Sequence, residues 1–215
     1  MDELKPGLWH WQAPHPEWDS EQWWPQLVSS YAIDDGTHLL LFDPLEVPDE
    51  LLALAGERET AIVLTAPWHE RDAESLGLPV YTPRPDSAQY LMDTYGITAE
   101  QAGDGSPDVV WLKAGKGDAR WYEPGDLLPF GAEVFAGHKP NDVVLWIESK
   151  RAVISGDTIV NFGGGFEINE KWLRPGMTRE GVAGGLRPLL EKPVEHVLAS
   201  HGGPTDRATL ERVLA

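Results

Sequence analysis

Short apolar runs alternate along the chain with segments whose apolar positions recur at helical spacing, and this alternation predicts an α/β fold. His38–Phe42 (HLLLF) is almost wholly apolar and reads as a buried strand, closed by Asp43 and Pro44. Pro48–Ala55 (PDELLALA) then takes helical spacing and stops at Gly56, a candidate C-cap. Ala61–Thr65 (AIVLT) predicts a second buried strand and Pro79–Thr82 a third. Ser87–Tyr95 reads as a helix, with Asp86 as its candidate N-cap and Gly96 as its stop.

From near Asp108 onward the pattern shifts to paired strands. Val143–Ile147 and Ala152–Ser155 flank the turn Glu148-Ser149-Lys150-Arg151 and predict a hairpin. A helix is expected over Arg179–Glu191, capped by Thr178. A strand over His196–Ser200 and a closing helix over Asp206–Leu214, capped by Thr205, follow. Two strand-rich halves, each finished by helices, predict a four-layer αβ/βα sandwich with the sheets face to face. Residues 1–30 stand apart as a Trp- and Pro-rich N-terminal arm, leaving residues 31–215 as a single domain. Trp9, Trp11, Trp18, Trp23 and Trp24 are expected to pin that arm to the core, with an aromatic lid over a pocket as the alternative.

Composition removes whole classes of chemistry. With no cysteine, thiolate nucleophiles, disulfides and zinc–thiolate sites are excluded, so any metal must be held by His, Asp or Glu. The formal charge of −18, from 35 acidic against 17 basic residues, repels phosphate backbones and anionic membranes. A small-molecule substrate is therefore the expected partner, and nucleic acid and membrane are not. No apolar run approaches the ~18 residues that span a bilayer. The N-terminus lacks the basic start and apolar stretch of a signal peptide, so a cytoplasmic location is expected.

Candidate chemistry sits at predicted strand ends. Of seven histidines, His69 follows the strand Ala61–Thr65, His138 follows Glu133–Ala136, and His201 follows Val197–Ser200. A further strand, Ala152–Ser155, runs into Gly156-Asp157. Three imidazoles and one carboxylate beside small glycines make up an oxygen- and nitrogen-donor metal site. His38 and His196 lie within strands and read as structural. His15, between two prolines, is a more distant candidate to reach the site, and packing is its simpler role. The run Asn161-Phe162-Gly163-Gly164-Gly165-Phe166 follows the Gly-Asp pair and is expected to border the site.

The order of LTAPWHERDA, AGHKPND, SGDTIV and ASHGGP resembles the metallo-β-lactamase-fold hydrolase superfamily over nearly the whole chain, from about Tyr31 to His201. That family carries Thr-His-x-His-x-Asp-His, then Gly-His, Gly-Asp and a late Gly-His-Gly or Ser-His-Gly. Here Pro67 stands where the first His belongs, His69 keeps the second, Arg71 replaces the Asp, and Asp72 replaces the last His. The resemblance implies a metal site reduced from two ions to one. His69, His138 and Asp157 remain around the first position, and His201, Asp157 and Asp72 around the second. A guanidinium cannot ligate a metal. Arg71 is therefore expected to stand in for the second ion by pairing with Asp157 or Asp72.

Three readings follow. The first is a hydrolase using one divalent cation (zinc ahead of iron or manganese), with Asp72 or His201 orienting water. The second is a metal-free, non-catalytic module of the same fold. The third is a non-haem iron oxygenase built on two histidines and a carboxylate.

Overall fold

Strands that run parallel need crossovers to join them, and the first half of the chain supplies these as short helices. In the computed structural model, which describes residues 1–105 and 110–215, seven strands form one sheet in sequence order. They are β1 (Asp2–Lys5), β2 (Leu8–Pro14), β3 (Leu27–Asp34), β4 (His38–Phe42), β5 (Glu59–Val63), β6 (Val80–Pro83) and β7 (Ala119–Tyr122). The first four pair antiparallel, and β4 to β7 run parallel. α1 (Asp49–Ala55) bridges β4 to β5, and α2 (Ala73–Leu76) bridges β5 to β6. α3 (Ala88–Tyr95), α4 (Ala99–Ala102) and α5 (Val110–Lys113) lie between β6 and β7.

The second half builds a five-stranded sheet in the order β14-β13-β10-β9-β8. Its members are β8 (Ala132–Lys139), β9 (Asp142–Ile147), β10 (Ala152–Gly156), β13 (His196–Ala199) and β14 (Gly203–Asp206). A two-stranded ribbon, β11 (Val160–Asn161) with β12 (Phe166–Glu167), follows the end of β10. α6 (Arg179–Leu186) and α7 (Arg207–Val213) complete the order. Among the described residues, no helix is long and apolar enough to cross a membrane.

Alternation along the strands creates three apolar layers. Tyr31, Phe42 and Val63 from the first sheet meet Val143, Leu145 and Ile154 from the second, which forms the central core. The outer face of the first sheet, with Leu39, Leu41 and Ile62, packs on Leu51 of α1 and Ala73 of α2. The outer face of the second sheet, with Trp146 and Val197, packs on Leu186 of α6 and Leu210 of α7. This is the expected αβ/βα sandwich. At one edge the sheets are also stitched by hydrogen bonds. The Val143 N–H donates to Thr65 O at 2.9 Å, Ser29 N–H to Ser200 O at 2.8 Å, and the Tyr31 hydroxyl to Ala199 O at 2.8 Å.

Several local expectations shift. Helix α3 is capped by the Ser87 side chain, which accepts from Tyr90 N–H, while Asp86 is engaged by Arg174 at 2.8 Å. Helix α7 is capped by Asp206 rather than Thr205. The helix expected over Arg179–Glu191 stays α-helical to Leu186 and tightens into a 3₁₀ turn from Arg187, where Pro188 cannot donate an N–H. Residues 2–14 of the N-terminal segment are mostly regular: β1 and β2 join the first sheet through β3. Trp11 is buried there and donates its indole N–H to Leu45 O at 2.7 Å. The shift toward paired strands placed near Asp108 lies outside the described residues.

Leu145 is fully buried between the sheets. Leu145→Ala should lower the unfolding free energy by ~2–5 kcal/mol through lost burial and a residual cavity. Urea denaturation measures this, and a loss under ~1 kcal/mol would contradict the placement of the core.

Candidate functional site

The site is built at the stitched edge, where two buried carboxylates each hold one imidazole. Asp43 follows β4 with a φ of 45°, a left-handed conformation that Asp tolerates better than most residues. Its carboxylate accepts the Thr65 N–H at 2.8 Å and the Thr65 hydroxyl at 2.6 Å, which ties the ends of β4 and β5 together. The same carboxylate takes His69 Nδ1 at 3.0 Å. Nε2 of His69 is thereby directed at Asp157 Oδ2, 3.2 Å away.

Asp142, at the start of β9, does the equivalent for His138. Its Oδ2 accepts His138 Nδ1 at 2.6 Å and the Thr158 hydroxyl, and its Oδ1 accepts Asp157 N–H at 3.3 Å. Two glycines make room for this buried carboxylate. A Cβ on Gly137 would stand 2.6 Å from Asp142 Oδ2, and one on Gly156 would stand 2.9 Å from Oδ1. The glycines that precede His138 and Asp157 in sequence are thus set by close approach, and Gly156 also has a φ of 52°.

Electrostatics follow from this burial. Burial opposes a charge on His69, but the facing carboxylates of Asp157 and Asp43 outweigh it and push its pKa up to about 10. Burial likewise works against the charge on Asp157, yet His69 and the Trp68 indole N–H, which donates to its Oδ2 at 3.0 Å, hold it well below the usual carboxylate range. His201 lies 3.6 Å from Asp157 Oδ1. Burial brings its pKa down to about 4, so it is neutral at neutral pH.

His69, Asp157 and His201 share a cavity of about 220 Å³ with His15, Arg71 and Lys139. Its remaining walls are Trp24, Trp68, Trp172 and Val28. Residues of the N-terminal segment therefore reach the site: Trp24 packs edge-on against His201 with ring centroids 5.2 Å apart. Phe162, from the glycine run, meets His201 at 5.3 Å. His138 does not line the cavity. Its ring packs on Trp172 at 6.1 Å, and Trp172 in turn meets His201 at 5.7 Å.

Two expectations from the sequence need correction. Arg71 does not pair with Asp157 or Asp72. Its Nη1 donates to Asp43 O at 2.6 Å, Ser29 O at 3.0 Å and the Ser30 hydroxyl at 3.3 Å, oxygens that β3 and the end of β4 present to it. Arg71 also carries a φ of 42°, backbone strain of the kind that collects at functional sites. Asp72 turns away from the cavity, and its Oδ2 accepts Glu46 N–H at 2.6 Å. Asp43 and Asp142 were not singled out from the sequence. The available signals were an Asp closing a buried strand and an Asp four residues after His138.

No family model matches the chain, and no curated protein matches it. Solved structures do. DIM-1 metallo-β-lactamase aligns over 99% of this chain and 93% of its own, at 16% identity with a TM-score of 0.63. A metallo-β-lactamase family protein from Thermus thermophilus aligns over 98% and 78%, at 17% identity and a TM-score of 0.59. TTHA1623, solved in a di-iron-bound form, aligns over 88% and 94%, at 25% identity and a TM-score of 0.54. The fold is that of the metallo-β-lactamases.

A metallo-β-lactamase fold raises the question of whether these residues suit a metal ion. In kind they do. His69 and His138 each have Nδ1 engaged by a carboxylate, the arrangement that frees Nε2 of a metal-binding histidine. His138 Nε2 and Asp157 Oδ1 are buried without a hydrogen-bond partner. As the side chains stand, however, no group of three His, Asp or Glu among the described residues is close enough to hold an ion.

The His69 charge has a consequence for stability. Its folded pKa lies above the ordinary 6.5, so the stability it contributes is full below pH 6.5 and is lost as pH rises toward 10. With a chelator present, the unfolding temperature of the wild type should fall across that window more steeply than that of His69→Gln. Parallel profiles for the two proteins would show that the pairing with Asp43 and Asp157 does not hold.

Proposed function

We propose that the protein is a hydrolase that works with one divalent cation, held by His69, His138 and Asp157 with His201 beside them. The observation that supports this most is the matched pair of carboxylate–imidazole contacts. Asp43 and Asp142 each accept Nδ1 of one ring, the contact that orients Nε2 of a metal-binding histidine. The buried, unpartnered Nε2 of His138 and Oδ1 of Asp157 point the same way, since such atoms are costly without a partner. When bound, the cation supplies Lewis acidity, polarising a scissile carbonyl or phosphoryl oxygen and acidifying water.

The chain's own groups do the rest. The Trp68 indole N–H holds one oxygen of Asp157 in place. Neutral His201, beside the other oxygen, takes a proton from water or returns one to a leaving group. The indoles of Trp24 and Trp172 restrict water around it. Binding is expected to be weaker than in two-metal sites, because Pro67 offers no imidazole and no group of three donors is already closed among the described residues.

Elemental analysis after stripping and reconstitution with Zn²⁺ or Fe²⁺ tests the reading. One equivalent is expected in the wild type, and His138→Ala should lower metal affinity by at least ~10-fold. Metal-dependent turnover is then sought on a panel of esters, thioesters, lactones and phosphodiesters, with His69→Ala reducing it by ~100-fold or more. A metal content of zero would favour a non-catalytic module, and two equivalents would contradict the single-ion site. Iron binding with oxygen consumption, and no hydrolysis, would favour an oxygenase.

A further inference from the structure

The cavity around Asp157 is cationic in a protein that is otherwise acidic. The chain carries 35 acidic and 17 basic residues. Arg71 and Lys139 line this cavity, and among the described residues neither is ion-paired with a carboxylate within 4.0 Å. Arg71 spends its Nη1 on carbonyl and hydroxyl oxygens, and its Nε is buried with no partner. The Lys139 ammonium sits over the Trp68 ring, 4.3 Å from its centroid, a contact that leaves its N–H donors free for an anion. The one carboxylate in the lining, Asp157, already accepts the Trp68 N–H at 3.0 Å and faces His69 at 3.2 Å.

The walls add a shape to this charge. Trp24, Trp68 and Trp172 surround a space of about 220 Å³, room for one ring-sized group and a small polar head. Flat apolar surface is favoured against indole faces and edges. A low-dielectric pocket lined by unpaired cations also focuses field lines on an incoming anion, against the repulsion of the surrounding acidic surface.

We propose that the substrate is a small organic monoanion bearing a flat or aromatic group, its negative charge received by Lys139 and Arg71 and its flat group by the three indoles. This rests on the cavity being the substrate site of the hydrolase proposed above. Lys139 is then a specificity-determining residue: it selects charge and leaves the bond-breaking groups unaltered.

Three isosteric probes separate charge from shape: benzoate, benzamide and benzamidine. Each is titrated into the full chain with EDTA present, so that no metal ion can receive the carboxylate. The indole N–H signals of Trp24, Trp68 and Trp172 are followed by NMR and identified with Trp→Phe variants. Benzoate is expected to bind at least ~10-fold more tightly than benzamide, as a charge-assisted contact would give, and benzamidine more weakly than either. Lys139→Gln should reduce the benzoate advantage to within ~2-fold, and raising salt from low to high concentration should do so in part. Equal binding of benzoate and benzamide, or tightest binding of benzamidine, would overturn the proposal, as would an unchanged preference in Lys139→Gln. Because the readout needs neither metal nor turnover, a failure here is distinct from a failure of the metal titration.

Discussion

A buried carboxylate that grips an imidazole through Nδ1 is the contact on which the rest of this site depends. It occurs twice, once at the end of each sheet. Asp43 closes β4, holds Thr65 at the end of β5 and fixes His69. Asp142 opens β9, holds Thr158 after β10 and fixes His138. Each aspartate therefore joins two strand ends and orients one ring. Removing either would leave a buried donor set without its acceptor, a loss that reaches the sheet edge as well as the imidazole. Fold and site share the same atoms here.

Close packing at that edge explains features that look unrelated in sequence. Gly137 and Gly156 lie nineteen positions apart, yet both are needed because Asp142 approaches each within a distance that no Cβ permits. The backbone bond from Val143 to Thr65 brings the two sheets together beside them. Arg71 is held to the same edge through Asp43 O and Ser29 O, which explains how a bulky residue is kept at a φ of 42°. Its Nη1 is committed to these oxygens and the Ser30 hydroxyl, while its Nε is buried without a partner.

Much of the fold was legible in the chain because the signals were local. The apolar run His38–Phe42 is β4 as expected, and the turn at Glu148–Arg151 does join an antiparallel pair. The helix caps were less legible. Asp86 and Ser87 are both good caps, and the distant Asn141 and Arg174 engage Asp86 instead. The N-terminal strands were hidden because Trp and Pro obscure the alternation, and their pairing partner β3 lies beyond an irregular segment. In the site, His69 and His201, placed by the sequence at strand ends, line the cavity with Asp157, whereas His138 does not. Asp43 and Asp142 were not legible, since a carboxylate's role depends on which strands fold beside it. The partners of Arg71 were misjudged for the same reason: sequence shows charges, and it does not show which carbonyl oxygens a turn will present.

The central claim is that Asp43 and Asp142 hold Nδ1 of His69 and His138 so that both Nε2 atoms serve one cation. Long-range ¹⁵N–¹H spectra of the histidine side chains, recorded during a Zn²⁺ titration, test it most directly. The account predicts that the Nε2 resonances of His69 and His138 shift together and saturate at one equivalent, while both Nδ1 atoms stay protonated throughout. Nε2 resonances that do not move, or metal binding that appears at Nδ1, would contradict it.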